Sequence, residues 1–535
     1  MPLAMPVATP LAVLMAASWW ADHTAVALEV AFVAYAIAIS TVVVLERRRP
    51  TTTLALVLAL VFVPVLGLLA YMLLSRSVRR RRKVRQRRIV RPIEALRGVA
   101  TVAAQPDELP PLPRGLVRLA IATAAAPVRR AVDVRVLSDP EGIFAAMRAA
   151  IDGAESFIHL LFYIWHDDDT GRDLVMRLAA RARAGVRVRV LVDDMGSVGV
   201  GARHFGPLLE AGGEVARFGK LRLGWRPWRS RLNFRNHRKI VVVDGRCGFI
   251  GGVNVGDEYA GQLDDRRWRD LMVEVRGDAV LGLDAVFLED WLSSTGQVLD
   301  THGQLPQELR DLDARRPRRR GPRTGGERER ERRLRAGDPF QALPPRPPTR
   351  QGALMQVIPS GPDAPNDEAI ATQVVASIAI ATARVWIVTP YFVPDDPLLL
   401  AIRTAALRGV DVRVLVPTPA ANDSRLVAFA ASSYYDELLE SGARVFEYHG
   451  GMLHAKYALF DDVALVGSAN MDVRSFHLNY GVIAMFYDAE VTRALGIRFI
   501  EDLTAAREVT LAMRETRRWW QRVGEGAARV VSPLL

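Results

Sequence analysis

The chain has 535 residues, half of them apolar, with 71 Lys and Arg against 59 Asp and Glu, a net charge of +12 and one cysteine. That length and apolar content supply core for about two to four domains, which excludes an intrinsically disordered protein. One thiol, Cys247, closes no intramolecular disulfide, and no paired Cys/His spacing offers a structural zinc site, so a reducing compartment is permitted.

Residues 1–23 form an apolar tail that includes Trp19 and Trp20 and lacks the basic start of a secretory signal. Two apolar runs follow, Thr24 to Leu45 and Leu54 to Leu74. At about 1.5 Å per residue the first reaches roughly 33 Å, enough to cross a bilayer. The loop between them carries Arg47, Arg48 and Arg49, whereas Arg76 to Arg91 holds ten Lys/Arg and no acid. The heavier positive flank predicts a two-helix hairpin over 24–75 with everything beyond it cytoplasmic. Removing those ten charges lowers the net charge from +12 to +2, so the remainder requires no nucleic-acid partner. The basic connector, 76–130, is suited to anionic lipid.

Beyond residue 130 the chain repeats itself. Gly185-Val-Arg-Val-Arg-Val-Leu-Val192 corresponds to Gly409-Val-Asp-Val-Arg-Val-Leu-Val416, each after an Ala/Arg/Leu-rich stretch. That order reads as helix, helix-stopping glycine, strand. Phe157 to Ile164 likewise echoes Trp386 to Val393, and Leu208 to Gly212 echoes Leu438 to Gly442. The alternation predicts an α/β fold with a largely parallel sheet in each of two domains, 131–300 and 353–513. Between them, 301–352 is a Pro/Arg-rich linker, with eleven Arg against three Glu from Arg315 to Arg335. A tail, 514–535, carries Arg517-Arg518-Trp519-Trp520, which suits either a lipid interface or an ordinary helix end.

Each copy holds the same polar set on a strand-turn-strand element. The first runs from His237 and Lys239 through Asp244 to Asn254; the second runs from His454 and Lys456 through Asp461 and Ser468 to Asn470. Side chains two apart on a strand share a face, so each His-Lys pair forms half of a phosphate site. Two imidazoles meeting across a pseudo-twofold axis suit phosphodiester chemistry without a metal or cofactor. One attacks phosphorus to give a phosphohistidine, and the other protonates the departing alkoxide. Lys and Asn donors, with the Ser468 hydroxyl, hold the charge that grows on the phosphoryl oxygens.

The paired H-x-K-x4-D elements resemble those of the phospholipase D superfamily, and the chain is similar to bacterial cardiolipin synthases. The motifs that carry the likeness are Asn233 to Lys239, Gly256-Asp-Glu-Tyr259, Trp268-Arg-Asp270, Thr389 to Pro394 and Ser532-Pro-Leu-Leu535. The resemblance implies two fused, pseudo-twofold related domains with mixed sheets flanked by helices, following a transmembrane hairpin in a bacterial inner membrane. It implies conversion of two phosphatidylglycerols into cardiolipin and glycerol. His237 would be the nucleophile and His454 the acid, then the base, while Asp244 and Asp461 either join the chemistry or brace their strands. It also implies that Asp270 orients His237, and that Gly481 stands where related chains carry a Glu orienting His454. On that reading His454 is the weaker histidine. Two rivals stay open: a membrane-tethered phosphodiesterase acting on lipid or nucleic acid, and a scaffold that has lost its chemistry. The acceptor alcohol and the oligomeric state are not legible.

Overall fold

The computed structural model describes residues 111–219, 234–262, 268–299, 352–362 and 368–532, with parts of 26–67. The expected apolar tail, the basic stretch to residue 110 and nearly all of the linker lie outside the described residues.

Met1–Arg82 is a unit of its own. Its helix Pro50–Phe62 is 13 residues long and opens on a proline, whose missing N–H costs nothing at that position. Val43 and Leu60 are buried in a small cluster with Ile39 and Val57. Among the described residues no helix is long and apolar enough to cross a membrane. The expected hairpin over 24–75 lies partly outside them.

The second unit, Lys83–Leu535, carries both copies of the repeat. Its first strands are β1 (Arg129–Ala131), β2 (Val134–Leu137), β3 (Phe157–Phe162), β4 (Arg187–Asp193), β5 (Glu214–Phe218), β6 (Ile240–Val243), β7 (Cys247–Gly251), β8 (Trp268–Arg269) and β9 (Met272–Arg276). Seven form one sheet in the order β2-β9-β7-β6-β3-β4-β5. The second copy supplies β10 (Ala353–Ser360), β11 (Arg384–Val388), β12 (Phe392–Val393), β13 (Asp411–Pro417), β14 (Arg444–Tyr448), β15 (Met452–Leu453), β16 (Tyr457–Phe460), β17 (Val463–Gly467), β18 (Met471–Asp472), β19 (Gly481–Tyr487) and β20 (Ala506–Val509). Their nine-stranded sheet runs β1-β10-β19-β17-β16-β11-β13-β14-β20, so β1 crosses over to pair with β10.

The sheets are mixed rather than largely parallel. Within these two sheets, among the described residues, only β3-β4-β5 and β11-β13-β14 run parallel, each joined by a helical crossover. The strands after the lysines return through tight turns, β6 to β7 and β16 to β17, and so short a connection allows only antiparallel pairing. Gly185 and Gly409, at φ +97° and +86°, end the helices before β4 and β13 as the sequence predicts. One apolar cluster runs through both sheets, joining Leu161, Ile240 and Ile250 to Tyr457, Leu459 and Val466 around the helix Ala279–Thr295. The halves therefore share a core.

Candidate active site

His237 and Lys239 sit on the extended stretch leading into β6, and His454 and Lys456 on its counterpart before β16. Each lysine turns back on its own motif: Lys239 Nζ donates to the His237 carbonyl at 2.7 Å, and Lys456 Nζ donates to that of His454.

The two stretches are built into each other's half. His237 N–H donates to the Tyr480 carbonyl (2.9 Å) and Tyr480 N–H to the Arg235 carbonyl (2.8 Å). Reciprocally, His454 N–H donates to the Arg269 carbonyl (2.7 Å), and β15 pairs in parallel with β8. Buried Arg238 locks the seam, donating to the Gly481 carbonyl (2.9 Å), the Ser360 carbonyl (2.9 Å) and Asp290 (2.8 Å). Asp193 braces the same approach by accepting from Asn236 N–H at 2.9 Å.

This interlock corrects the expected partner of Asp270. Its Oδ2 lies 2.6 Å from Nδ1 of His454, not beside His237. The cause is the reciprocal pairing: the end of β8 runs alongside β15, so each half positions the other's histidine. Gly252 N–H donates to the Leu271 carbonyl and Ser468 N–H to that of Val482, which makes Gly481 the counterpart of Asp270. The absent carboxylate is thus the one that would face His237. That overturns His454 as the unsupported histidine. The His237 ring lies instead beside its own lysine, with Lys239 Nζ 3.5 Å from Nδ1.

The halves fill the same place in two ways. Leu271 N–H donates to Asp270 Oδ1 at 2.7 Å, whereas Val482 N–H donates to the Ser468 hydroxyl at 3.1 Å. A Cβ on Gly252 would stand 2.2 Å from Asp270 Oδ1, so glycine there admits the carboxylate. Ser468, expected on phosphate, is tied to the main chain. Asn254 is also engaged, accepting from Ile164 N–H (3.1 Å) and donating to the Tyr259 hydroxyl (2.8 Å). Asn470 N–H donates to the Ser475 hydroxyl at 3.2 Å, and desolvation pushes the carboxyl of the neighbouring buried Asp472 upward.

Asp244 and Asp461 lie at the far ends of β6 and β16. Asp244 accepts from the N–H groups of Glu155, Ser156 and Phe157 at 2.7–2.8 Å, and Asp461 from those of Thr382, Ala383 and Arg384 at 2.8–2.9 Å. Both hold the left-handed backbone, at φ +54° and +51°, that their turns require. Of their two expected roles, this geometry supplies the brace.

Three aromatic residues line the site: Tyr259 and Trp268, which fall in the motifs that carry the resemblance but had no role there, and Tyr163, which was not singled out from the sequence. The Tyr163 ring lies 4.2 Å from that of His237 and 5.2 Å from Lys239 Nζ. Trp268 and Tyr259 flank His454, with ring centroids at 4.9 and 5.7 Å. The available signal was an aromatic just past the strand in both copies, Tyr163 and Tyr391.

Burial, above all, lowers every basic pKa here. Desolvation and then the charges of Lys239, Lys456 and His454 hold His237 well below the usual imidazole range. His454 is drawn down to about 4 by burial and Lys456, against the pull of Asp270. Burial lowers Lys456 to about 8, and burial and then Lys456 hold Lys239 well below the usual ammonium range. The charge of Lys456 lowers His237, Lys239 and His454 alike, and an anion beside them would act in the opposite direction. Among the described residues no group of three or more His, Cys, Asp or Glu side chains is placed to hold a metal.

Two interlocked halves, each carrying a His-Lys pair, define a phospholipase D-like protein. The family described as "Cardiolipin synthase, PLD-like domain" matches residues 147–291 and 374–503, and "Phospholipase_D-nuclease N-terminal" matches 33–76. A cardiolipin synthase of Geobacillus sp. (strain WCH70) is 35% identical over 93% of this chain and 91% of its own. Another, of Halalkalibacterium halodurans, is 33% identical over 97% of this chain and 96% of its own. The solved phosphatidylserine synthase of Haemophilus influenzae has the same fold, with a TM-score of 0.57 at 15% identity over 80% of this chain and 100% of its own. The chain belongs to the cardiolipin synthase family.

Proposed function

We propose that the protein is a membrane-anchored phosphatidyltransferase that joins two phosphatidylglycerols into cardiolipin, releasing glycerol. The observation that carries this reading is the reciprocal seam, in which each half holds the other's His-Lys stretch and Asp270 lies on His454. In the first step a ring nitrogen of His237 bonds to phosphorus while the bond from phosphorus to the glycerol oxygen breaks. His454 gives that oxygen its proton. In the second step a hydroxyl of another phosphatidylglycerol yields its proton to His454 and attacks phosphorus, and the bond to His237 breaks. Lys239 and Lys456 neutralise the charge on the phosphoryl oxygens.

Asp270 fits this division of labour. A carboxylate stabilises an imidazolium and fixes its tautomer, which suits the histidine that must carry the proton. His237, held well below the usual imidazole range by burial and then by Lys239, suits the neutral nucleophile. The matched N-terminal family segment and the basic stretch after residue 75 support a hairpin anchored in a bacterial inner membrane with the site in the cytoplasm.

Purified full-length protein with phosphatidylglycerol tests the proposal. Cardiolipin and glycerol in equal amounts support it. Phosphatidic acid in their place means that water takes the second step, and no product from folded protein refutes catalysis.

A further inference from the structure

The helix Trp519–Val531 is turned inside out. A surface helix ordinarily buries its apolar stripe and shows its charges to water. Here Glu525 points inward, 7% exposed, bonded to Arg514, Arg517 and the Ser432 hydroxyl. The outward face carries Trp519, Trp520, Val523 and Val530, which are 75%, 48%, 60% and 81% exposed. The helix Arg425–Ser432 packs beside it, with the Phe429 ring against Gly524, and extends the face with exposed Leu426 and Phe429. Exposed Arg425, Arg518 and Arg522 border the patch.

This patch adjoins the catalytic groups. The helix Arg425–Ser432 starts just after Asp423, whose carboxylate accepts from the Tyr391 hydroxyl at 2.7–2.8 Å and acts on the charge of Lys456.

We propose that this outward face docks the second unit on the surface of an anionic lipid bilayer. The inference rests on the phosphatidyl-transfer reading and adds how the second unit meets its substrate. Indole rings suit the headgroup level, aliphatic side chains suit the upper acyl region, and guanidinium groups suit lipid phosphate. A second copy of the chain fits less well, because a twofold contact through this patch sets its bordering arginines against their own copies.

The test uses full-length protein in phosphatidylglycerol-containing proteoliposomes, labelled with an environment-sensitive fluorophore at Val523→Cys. The native thiol does not compete, since Cys247 is buried and its pKa is pushed up to about 12. Quenching by doxyl groups on the lipids, and not by aqueous iodide, is the expected result. The double variant Trp519→Ala, Trp520→Ala should need an about tenfold higher surface fraction of phosphatidylglycerol for half-maximal transfer. Its turnover of monomeric short-chain phosphatidylglycerol should not change. A label open to iodide and untouched by doxyl lipid overturns the proposal, as does a label shielded from both that cross-links between copies. Absence of cardiolipin with a lipid-quenched label sinks the transfer reading and leaves the docking surface intact.

Discussion

Replacing Asp270 with Asn leaves the volume beside His454 nearly unchanged and removes one negative charge. The bond it alters is 2.6 Å long, between side chains only 4% and 6% exposed, so water offers little screening. A hydrogen bond to a charged group in such surroundings contributes about 1.5–3 kcal/mol, or roughly one to two pKa units on the histidine. His454 already lies at about 4, and Asp270 is what holds it from falling further. If His454 protonates the departing glycerol, Asp270→Asn should lower kcat/KM for phosphatidylglycerol by about 10- to 100-fold. A phosphatidyl ester of p-nitrophenol, whose leaving group departs without a proton, should lose far less, and burst release of nitrophenolate measures that step directly. Gly252→Ser should behave alike, since the added side chain enters the space of Asp270 Oδ1. Equal losses on both substrates would refute the acid role, and no loss on either would refute any role for the pair.

Gly481→Glu places a carboxylate toward His237 and should move the acid limb of the kcat/KM profile upward by about one pH unit, with a small adjustment of Ile370, 3.1 Å from the new Cβ. An unmoved limb would refute the reciprocal geometry. Asp244→Ala removes the acceptor of three N–H groups at a left-handed position and should cost about 3 kcal/mol in denaturant unfolding, with kcat at low temperature nearly kept. Loss of kcat in a stable variant would give Asp244 to the chemistry. His454 binds its proton more weakly folded than unfolded, so its neutral form stabilises the fold above its ordinary pKa of about 6.5, and that contribution is lost as pH falls toward 4. Between those limits the wild type should lose about 1.4 kcal/mol per pH unit more than His454→Gln, measured by urea titration.

The repeat, its helix-stopping glycines and both His-Lys pairs were legible because each is written in short-range pattern. Gly185 and Gly409 sit two residues before the strands they announce, and the 3.6-residue and two-residue periods do the rest. Sheet direction was less legible, because a buried apolar run such as Ile240–Val243 reads the same whether its neighbours are parallel or antiparallel. The partner of Asp270 was misread for a different reason. The acid and His454 are 184 positions apart, and only the parallel pairing of β8 with β15 brings them together. The exchange of Asp270 with Gly252 for Gly481 with Ser468 was invisible for the same cause, since each half looks depleted at one position until the two are superposed. Tyr163 escaped notice because an aromatic residue at a strand end is ordinary in a core.

The seam has a consequence for biogenesis. Neither histidine is anchored until the opposite half has closed upon it, since the amides of His237 and His454 bond to Tyr480 and Arg269 across that seam. A nascent chain that has completed only its first half carries no assembled reaction centre. Synthesis beside a bilayer therefore exposes the surrounding phospholipids to no partially built phosphodiesterase, and lipid chemistry begins only with the final docking event.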